Sequence, residues 1–133
     1  MERGKEREHL MKLLYQMGLT NSFSESDFEQ YVENNMKGKA SEYVRNTYSY
    51  LTANIDDIDE IIDKYSINWK VKRMPAVDLA ILRLALTEIL FVDAIPESVS
   101  INEAVELAKN FSTDKSAKFV NGLLGKVVKS ENV

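Results

Sequence analysis

The sequence predicts an all-α protein. Apolar residues recur at helical spacing along most of the chain, and no stretch alternates polar and apolar residues as a strand does. The 133 residues, 44% of them hydrophobic, suit one compact domain with one core, or two small subdomains that share one. That composition excludes a chain that is disordered throughout.

The first helix is indicated by four apolar side chains. Leu10, Leu13, Leu14 and Met17 lie at positions i, i+3, i+4 and i+7 and so form one face of a helix. Gly18 follows them directly. Because glycine adopts the left-handed conformation without strain, we expect the helix to end there.

Residues 22–65 are predicted to add two or three helices. Ser24 or Ser26 can cap a short helix that ends near Gly38. From Val44 to Tyr65 apolar residues continue at spacings of three and four, in two helices or one bent helix. A break within residues 54–57 favours two, since Asn and Asp are common helix caps.

A central buried helix is predicted next. Residues 77–92 are apolar nearly all round, and Pro75 suits the first turn because its missing N–H is not needed there. Asp78 and Glu88 lie in this run, and Arg83, five residues from each, is the nearest candidate partner. Since a buried charge is costly unless paired, Asp78 lies either at a protein interface or in an internal ion pair.

The last two helices are marked by polar residues. Ser100 and Glu103 have the spacing of a capping box and predict the start of one helix, which runs to about Asn110. The cluster at residues 112–114 predicts the start of the final helix, which runs to about Lys129.

Charge is polarised along the chain, whose net charge is −4. Residues 22–63 hold ten acids and three bases, a local charge of −7. Residues 109–129 hold five lysines and one aspartate, a local charge of +4. A basic face of this kind can bind phosphate although the whole protein is acidic.

Several classes of site are excluded or unsupported. With no cysteine, the chain has no disulfide, thiolate metal site or cysteine nucleophile, and it suits the cytoplasm. Residues 1–8 are charged without a following apolar segment, so we predict no signal peptide; charges in residues 77–92 argue against a membrane span. His9, the only histidine, is interpreted as a surface residue. The acidic residues 56–60 lack a calcium-loop pattern, and we predict no metal or cofactor.

The basic residues near the final joint allow two interpretations. Lys109, Lys115 and Lys118 flank the joint between the last two helices, and Phe119 follows them. These are either solvated lysines beside a core phenylalanine, or phosphate contacts beside a ring that stacks on RNA bases.

Two other features carry the same ambiguity. Gly122 and Gly125 interrupt the last helix, either for close helix packing or to let RNA or a partner approach. We expect packing at Gly122. The basic segment at residues 68–74 is a second candidate surface, in which we expect Trp69 to be wedged into the core.

Four segments, in order, resemble the bacterial transcription antitermination factor NusB family. They are L-L-Y-Q at residues 13–16, N-W-K-V-K-R at residues 68–73, A-I-L-R-L-A-L-T-E-I-L at residues 80–90, and I-N-E-A-V-E-L-A-K-N-F followed by K-F-V-N-G within residues 101–122. The resemblance covers nearly the whole chain.

The resemblance implies a fold and a function. It implies seven helices in two small packed bundles within a single domain spanning residues 1–133, the first at about 1–54 and the second at about 55–133. It implies an adaptor, not an enzyme, that pairs with the ribosomal small-subunit protein NusE and binds boxA single-stranded RNA of nascent transcripts. The pair keeps RNA polymerase termination-resistant, notably on ribosomal RNA operons.

The resemblance also implies the binding residues. The RNA-binding positions are matched by Arg3, Lys5, Arg7, Tyr15, Gln16, Lys118 and Phe119. Lys115 stands where some members carry an acid, and a lysine there favours phosphate. Asp78 matches a position that faces NusE. The N-terminal stretch departs from the arginine-rich family pattern, because acids alternate with the bases.

Two alternatives from other classes stay open. Similar helical domains form the RNA-binding part of some ribosomal RNA cytosine methyltransferases. The second alternative is a self-associating structural helical protein. Pairing of two copies through the RNA face, when RNA is absent, is also compatible with the adaptor interpretation.

Overall fold

A computed structural model describes residues 1–67 and 69–131. This part of the chain forms seven α-helices and no strand: α1 (Arg3–Thr20), α2 (Glu25–Asn35), α3 (Glu42–Ala53), α4 (Ile55–Tyr65), α5 (Ala76–Phe91), α6 (Glu97–Phe111) and α7 (Asp114–Ser130). A short 3-10 helix spans Val71–Arg73. The predicted all-α class with seven helices is confirmed. Asn68, the first residue of the N-W-K-V-K-R segment, lies outside the described residues.

Side-chain caps begin three of the helices. The hydroxyl oxygens of Ser24, Ser41 and Thr113 accept hydrogen bonds from backbone N–H groups three residues later, at 3.0, 3.2 and 3.0 Å. Each cap satisfies one of the N–H groups that a helix start leaves without a partner. The predicted caps at Ser24 and in the polar cluster at residues 112–114 are therefore confirmed.

Two predicted helix ends are wrong. α1 continues past Gly18 to Thr20, and Asn21 adopts the left-handed conformation instead, with φ of 52°. α6 begins at Glu97, one turn before the predicted capping box. Ser100 lies inside that helix, where its hydroxyl donates to Glu88 Oε1 at 2.9 Å, so a tertiary bond replaces the expected cap.

Helix α5 is the centre of the molecule, as predicted. It packs against α1, α3, α4, α6 and α7, and every residue from Ala80 to Glu88 is buried. Because α5 contacts helices from both halves of the chain, one continuous core joins them. The division into two bundles near residue 54 stays a prediction.

Arg83 does not pair with either carboxylate of its own helix. Its guanidinium donates to both carboxylate oxygens of Asp59 on α4, at 2.9 and 2.8 Å. The internal pairing of Arg83 with Asp78 considered above is therefore wrong.

In the described ranges, no helix combines the length and apolar character needed to cross a bilayer.

Tyr48 makes the stability of the core depend on pH at high pH. Its ring stacks on Phe28 with centroids 4.4 Å apart, and its hydroxyl donates to the Ser24 carbonyl at 2.8 Å. Burial, followed by the charge of Glu25, raises the pKa of Tyr48 from 10.0 to about 12. The unfolded chain therefore loses this proton first, and the stability that Tyr48 contributes is lost between about pH 10 and pH 12.

We expect Tyr48→Phe to weaken this pH dependence. The free energy of unfolding of the variant, measured by urea denaturation from pH 9 to pH 11.5, falls less steeply than that of the wild type. Tyr50→Phe, at a residue that is 41% exposed, is the matched control for the loss of a tyrosine hydroxyl. Identical slopes for Tyr48→Phe and the wild type would contradict the assignment.

Candidate nucleic-acid interface

The start of α7 brings three of the predicted RNA-binding residues together. Lys115 and Lys118 are exposed and Phe119 is half-buried. The Phe119 ring meets Trp69 edge to face, with centroids 5.5 Å apart, and Lys115 Nζ lies 5.9 Å from the Trp69 centroid. We call Lys115, Lys118, Phe119 and Trp69 the α7 surface. Trp69, from the second candidate surface of the sequence, thus lies beside Lys115 and Phe119 of α7.

Grooves lie on both sides of Lys118. The groove toward α6 has a volume of about 490 Å³ and is lined in part by Lys109, Asn102 and Asn121. The groove toward α4 has a volume of about 200 Å³ and includes Gly122. Lysines and amides on concave walls can contact phosphates and base edges.

The glycines of α7 do not serve helix packing. Gly122 and Gly125 are exposed, and a Cβ atom built on either would have no heavy atom within 4 Å apart from its own chain neighbours and helix backbone. The close packing predicted at Gly122 is therefore wrong, because this side of α7 faces outward. Bare backbone here leaves room for a binding partner.

At the N-terminus the predicted bases divide into exposed and buried residues. Arg3 is exposed, lies 4.0 Å above the Tyr43 ring and contacts Glu6 at 3.3 Å. Lys5 is exposed. Arg7 is buried on α1 and donates from Nε and Nη2 to the two carboxylate oxygens of Glu88, at 2.9 and 3.2 Å.

Tyr15 and Gln16 lie apart from α7. Tyr15 packs half-buried against the core, and Gln16 lines a groove between α1 and α2 together with Asp27 and Tyr31. Among the described residues, no hydrogen bond or ring contact joins Tyr15 or Gln16 to the α7 surface. Their RNA-binding role, like that of the other predicted residues, stays a prediction.

Lys12 and Phe111 form a contact that the sequence did not predict. Lys12 Nζ on α1 lies 5.4 Å from the ring centroid of Phe111, which is 38% exposed at the end of α6. The pair connects α1 to the α6–α7 joint. The sequence did offer one signal for an exposed ring here. Phe111 directly precedes a polar joint, where a core position is not expected.

Asp78 is fully buried, with 0% exposure. Its Oδ1 accepts from the hydroxyl of Ser112 and its Oδ2 from the hydroxyl of Ser116, each at 2.8 Å. Both serines belong to the α6–α7 joint or the first turn of α7. The carboxylate therefore holds the base of the α7 surface, and its predicted contact with NusE stays a prediction.

His9 is half-buried and bonded inside the protein. Its Nδ1 lies 2.9 Å from the Tyr31 hydroxyl, and burial lowers the pKa of His9 from 6.5. Across residues 1–67 and 69–131, no group of three or more His, Cys, Asp or Glu side chains is placed to hold a metal ion.

Comparison with known proteins identifies the family. The model of the NusB family matches residues 4–129. The chain belongs to the NusB family. A family member from Alkaliphilus oremlandii, transcription antitermination protein NusB, is 42% identical over 134 residues, which cover 100% of this chain and 97% of the relative. The protein of the same name from Natranaerobius thermophilus is 43% identical, covering 99% and 98% of the two chains.

Solved structures of the family share the fold. NusB of T. maritima superimposes with a TM-score of 0.82 at 34% identity, over 98% of this chain and 92% of that one. A crystal structure of the antitermination factors NusB and NusE in complex with double-stranded RNA contains a chain with a TM-score of 0.82 at 26% identity, covering 98% and 99%.

The contacts of Arg7 generate a prediction about stability. Its side chain is 6% exposed and that of Glu88 is 1% exposed. Arg7→Ala leaves the buried carboxylate without its cation, so we expect the free energy of unfolding to fall by about 3 kcal/mol or more. Urea denaturation at neutral pH measures the change.

The matched control is Lys5→Ala, two residues earlier on the same helix and exposed. We expect it to change the free energy of unfolding by less than about 0.5 kcal/mol. Similar small effects for the two variants would show that Arg7 is not a structural residue. It would then be free to contact RNA.

Proposed function

We propose that this chain is a transcription antitermination factor. It binds boxA-type single-stranded RNA of nascent transcripts, notably those of ribosomal RNA operons, and pairs with the ribosomal protein NusE. Together they keep RNA polymerase termination-resistant. Membership of the NusB family over residues 4–129 supports this, as do the names of the relatives and the NusB–NusE–RNA complex among the similar structures.

The observation that carries the RNA-binding part is the α7 surface. Lys115 and Lys118 supply positive charge for phosphates, and binding through phosphate contacts weakens as salt rises. Phe119 and Trp69 supply ring faces and edges beside those charges, where an unstacked base can pack. Charge and aromatic area side by side are what single-stranded RNA requires.

The uneven charge distribution orients the RNA. Residues 109–129 carry a local charge of +4 and residues 22–63 one of −7. Phosphates are attracted to the first region and repelled by the second. We therefore place the RNA along α7 and the α6–α7 joint, with Lys12 and the exposed Arg3 and Lys5 of α1 as the further basic contacts.

The role we propose is binding without catalysis, in the cytoplasm. Two basic helices and two open grooves suit the recognition of an extended polymer better than the chemistry of a small substrate. NusE contributes by extending the surface on which the RNA lies. Specificity for boxA arises from the pair more than from this chain alone.

Fluorescence anisotropy with labelled RNA tests the proposal. A boxA-type RNA and a scrambled RNA are titrated with the protein, with and without NusE, at several salt concentrations. We expect selective binding of the boxA-type RNA that tightens with NusE and weakens with salt. Lys118→Ala lowers the affinity for both RNAs and reduces the slope of log K against log salt by about 0.7, the share of one phosphate contact in single-stranded RNA.

Lys39→Ala is the matched control for this series. Lys39 is exposed in the connection between α2 and α3, within the acidic part of the chain. We therefore expect Lys39→Ala to leave the RNA affinity and the slope of log K against log salt at their wild-type values. Equal binding of both RNAs in the presence of NusE would refute the antitermination role. Equal effects of Lys118→Ala and Lys39→Ala would show that the RNA does not bind along α7.

A further inference from the structure

Asp78 occupies a position from which it can control the α6–α7 joint. It is the third residue of α5 and has 0% exposure. The hydroxyls of Ser112 and Ser116 donate to its two oxygens at 2.8 Å each. A buried carboxylate is tolerated only when hydrogen bonds replace its water, so the three side chains are held together.

The joint is too short to have an independent position. α6 ends at Phe111 and α7 begins at Asp114, which leaves Ser112 and Thr113 between them. The Thr113 hydroxyl accepts from the Ser116 N–H at 3.0 Å and donates to Ser116 Oγ at 3.1 Å. The contacts of Asp78 thus extend through Ser116 to the N-cap of α7.

The same turn carries the exposed binding residues. Lys115 is adjacent to Ser116, and Lys118 and Phe119 follow within the next turn. The inner side of the turn is bonded to Asp78 while its outer side presents charge and an aromatic ring. The negative charge of Asp78 also lies at the start of α7, where the helix dipole stabilises an anion.

We propose that Asp78 is a positioning residue for the RNA surface. Through Ser112 and Ser116 it fixes the start of α7 against α5, and so sets where Lys115, Lys118 and Phe119 meet the RNA. In this role Asp78 acts through the two serines and not by touching RNA or NusE, since its carboxylate has 0% exposure. This inference rests on the proposed function.

The first test compares two buried serines. Ser116→Ala removes one hydroxyl bond to Asp78, and Ser100→Ala removes a similar bond, of 2.9 Å, to the buried carboxylate of Glu88 near the other end of α5. Both variants lose comparable stability in urea. With NusE present, we expect Ser116→Ala to bind the boxA-type RNA about fivefold more weakly, and Ser100→Ala to bind it as the wild type does.

Hydrogen exchange of the free variants gives a second readout. Ser116→Ala speeds amide exchange within residues 112–118, and Ser100→Ala does not. Equal exchange in this segment for both variants overturns the proposal, whatever the RNA result. Faster exchange in Ser116→Ala with equal RNA affinities also overturns it, since the joint would then move without consequence for binding.

Asp78→Asn separates positioning from direct contact. The amide accepts from one serine hydroxyl and donates to the other, because a hydroxyl does both. We expect its affinities for RNA and for NusE to remain within about twofold of the wild type. Selective loss of NusE binding in Asp78→Asn would show a charged partner contact and overturn the proposal. Absence of selective RNA binding by the wild type is a failure of the proposed function instead.

Discussion

The buried carboxylate of Glu88 is the interaction on which the rest of the structure depends. It accepts hydrogen bonds from Arg7 on α1, from Tyr43 on α3 and from Ser100 on α6. Four helices therefore meet at one charge near the end of α5. Burial and this negative charge raise the pKa of Tyr43, which keeps its hydroxyl protonated and donating. Each donor replaces part of the water that is lost by a carboxylate with 1% exposure. A shift of any one of the four helices alone would therefore leave this buried charge without one of its hydrogen bonds.

The start of α5 carries a second carboxylate with a different task. Asp78 accepts hydrogen bonds from Ser112 in the α6–α7 joint and from Ser116 in the first turn of α7, whereas Glu88 ties the helices of the core together. Between the two carboxylates, α5 fixes α6 at one end and α7 at the other. The outer side of α7 then carries exposed lysines and unshielded glycine backbone, beside an aromatic ring that is only half-buried against the core. The α7 surface is thus held in place by polar contacts beneath it.

Local patterns predicted the helices, and long-range contacts explain the failures. Apolar spacing predicted α5 and α7, and residue type predicted the caps at Ser24 and Thr113, because these depend on neighbours in sequence. The buried hydrogen bonds of Arg7 and Asp78 were not predicted, because their partners lie 81 and 34 residues away. The fold family was predicted from four motifs that occur in the same order along the sequence. The contact of Trp69 with Phe119 needed the folded chain, because no spacing rule brings the connection after α4 onto α7.

Hydrogen–deuterium exchange of the wild-type protein most directly tests whether α7 and its joint with α6 form the RNA surface. The protein is measured with NusE, and then with NusE and a boxA-type RNA. We expect RNA to add protection within residues 109–121, with little change in the acidic residues 25–35 of α2. Added protection confined to α2, with residues 109–121 unchanged, would contradict this expectation and place the RNA on the opposite charge of the molecule.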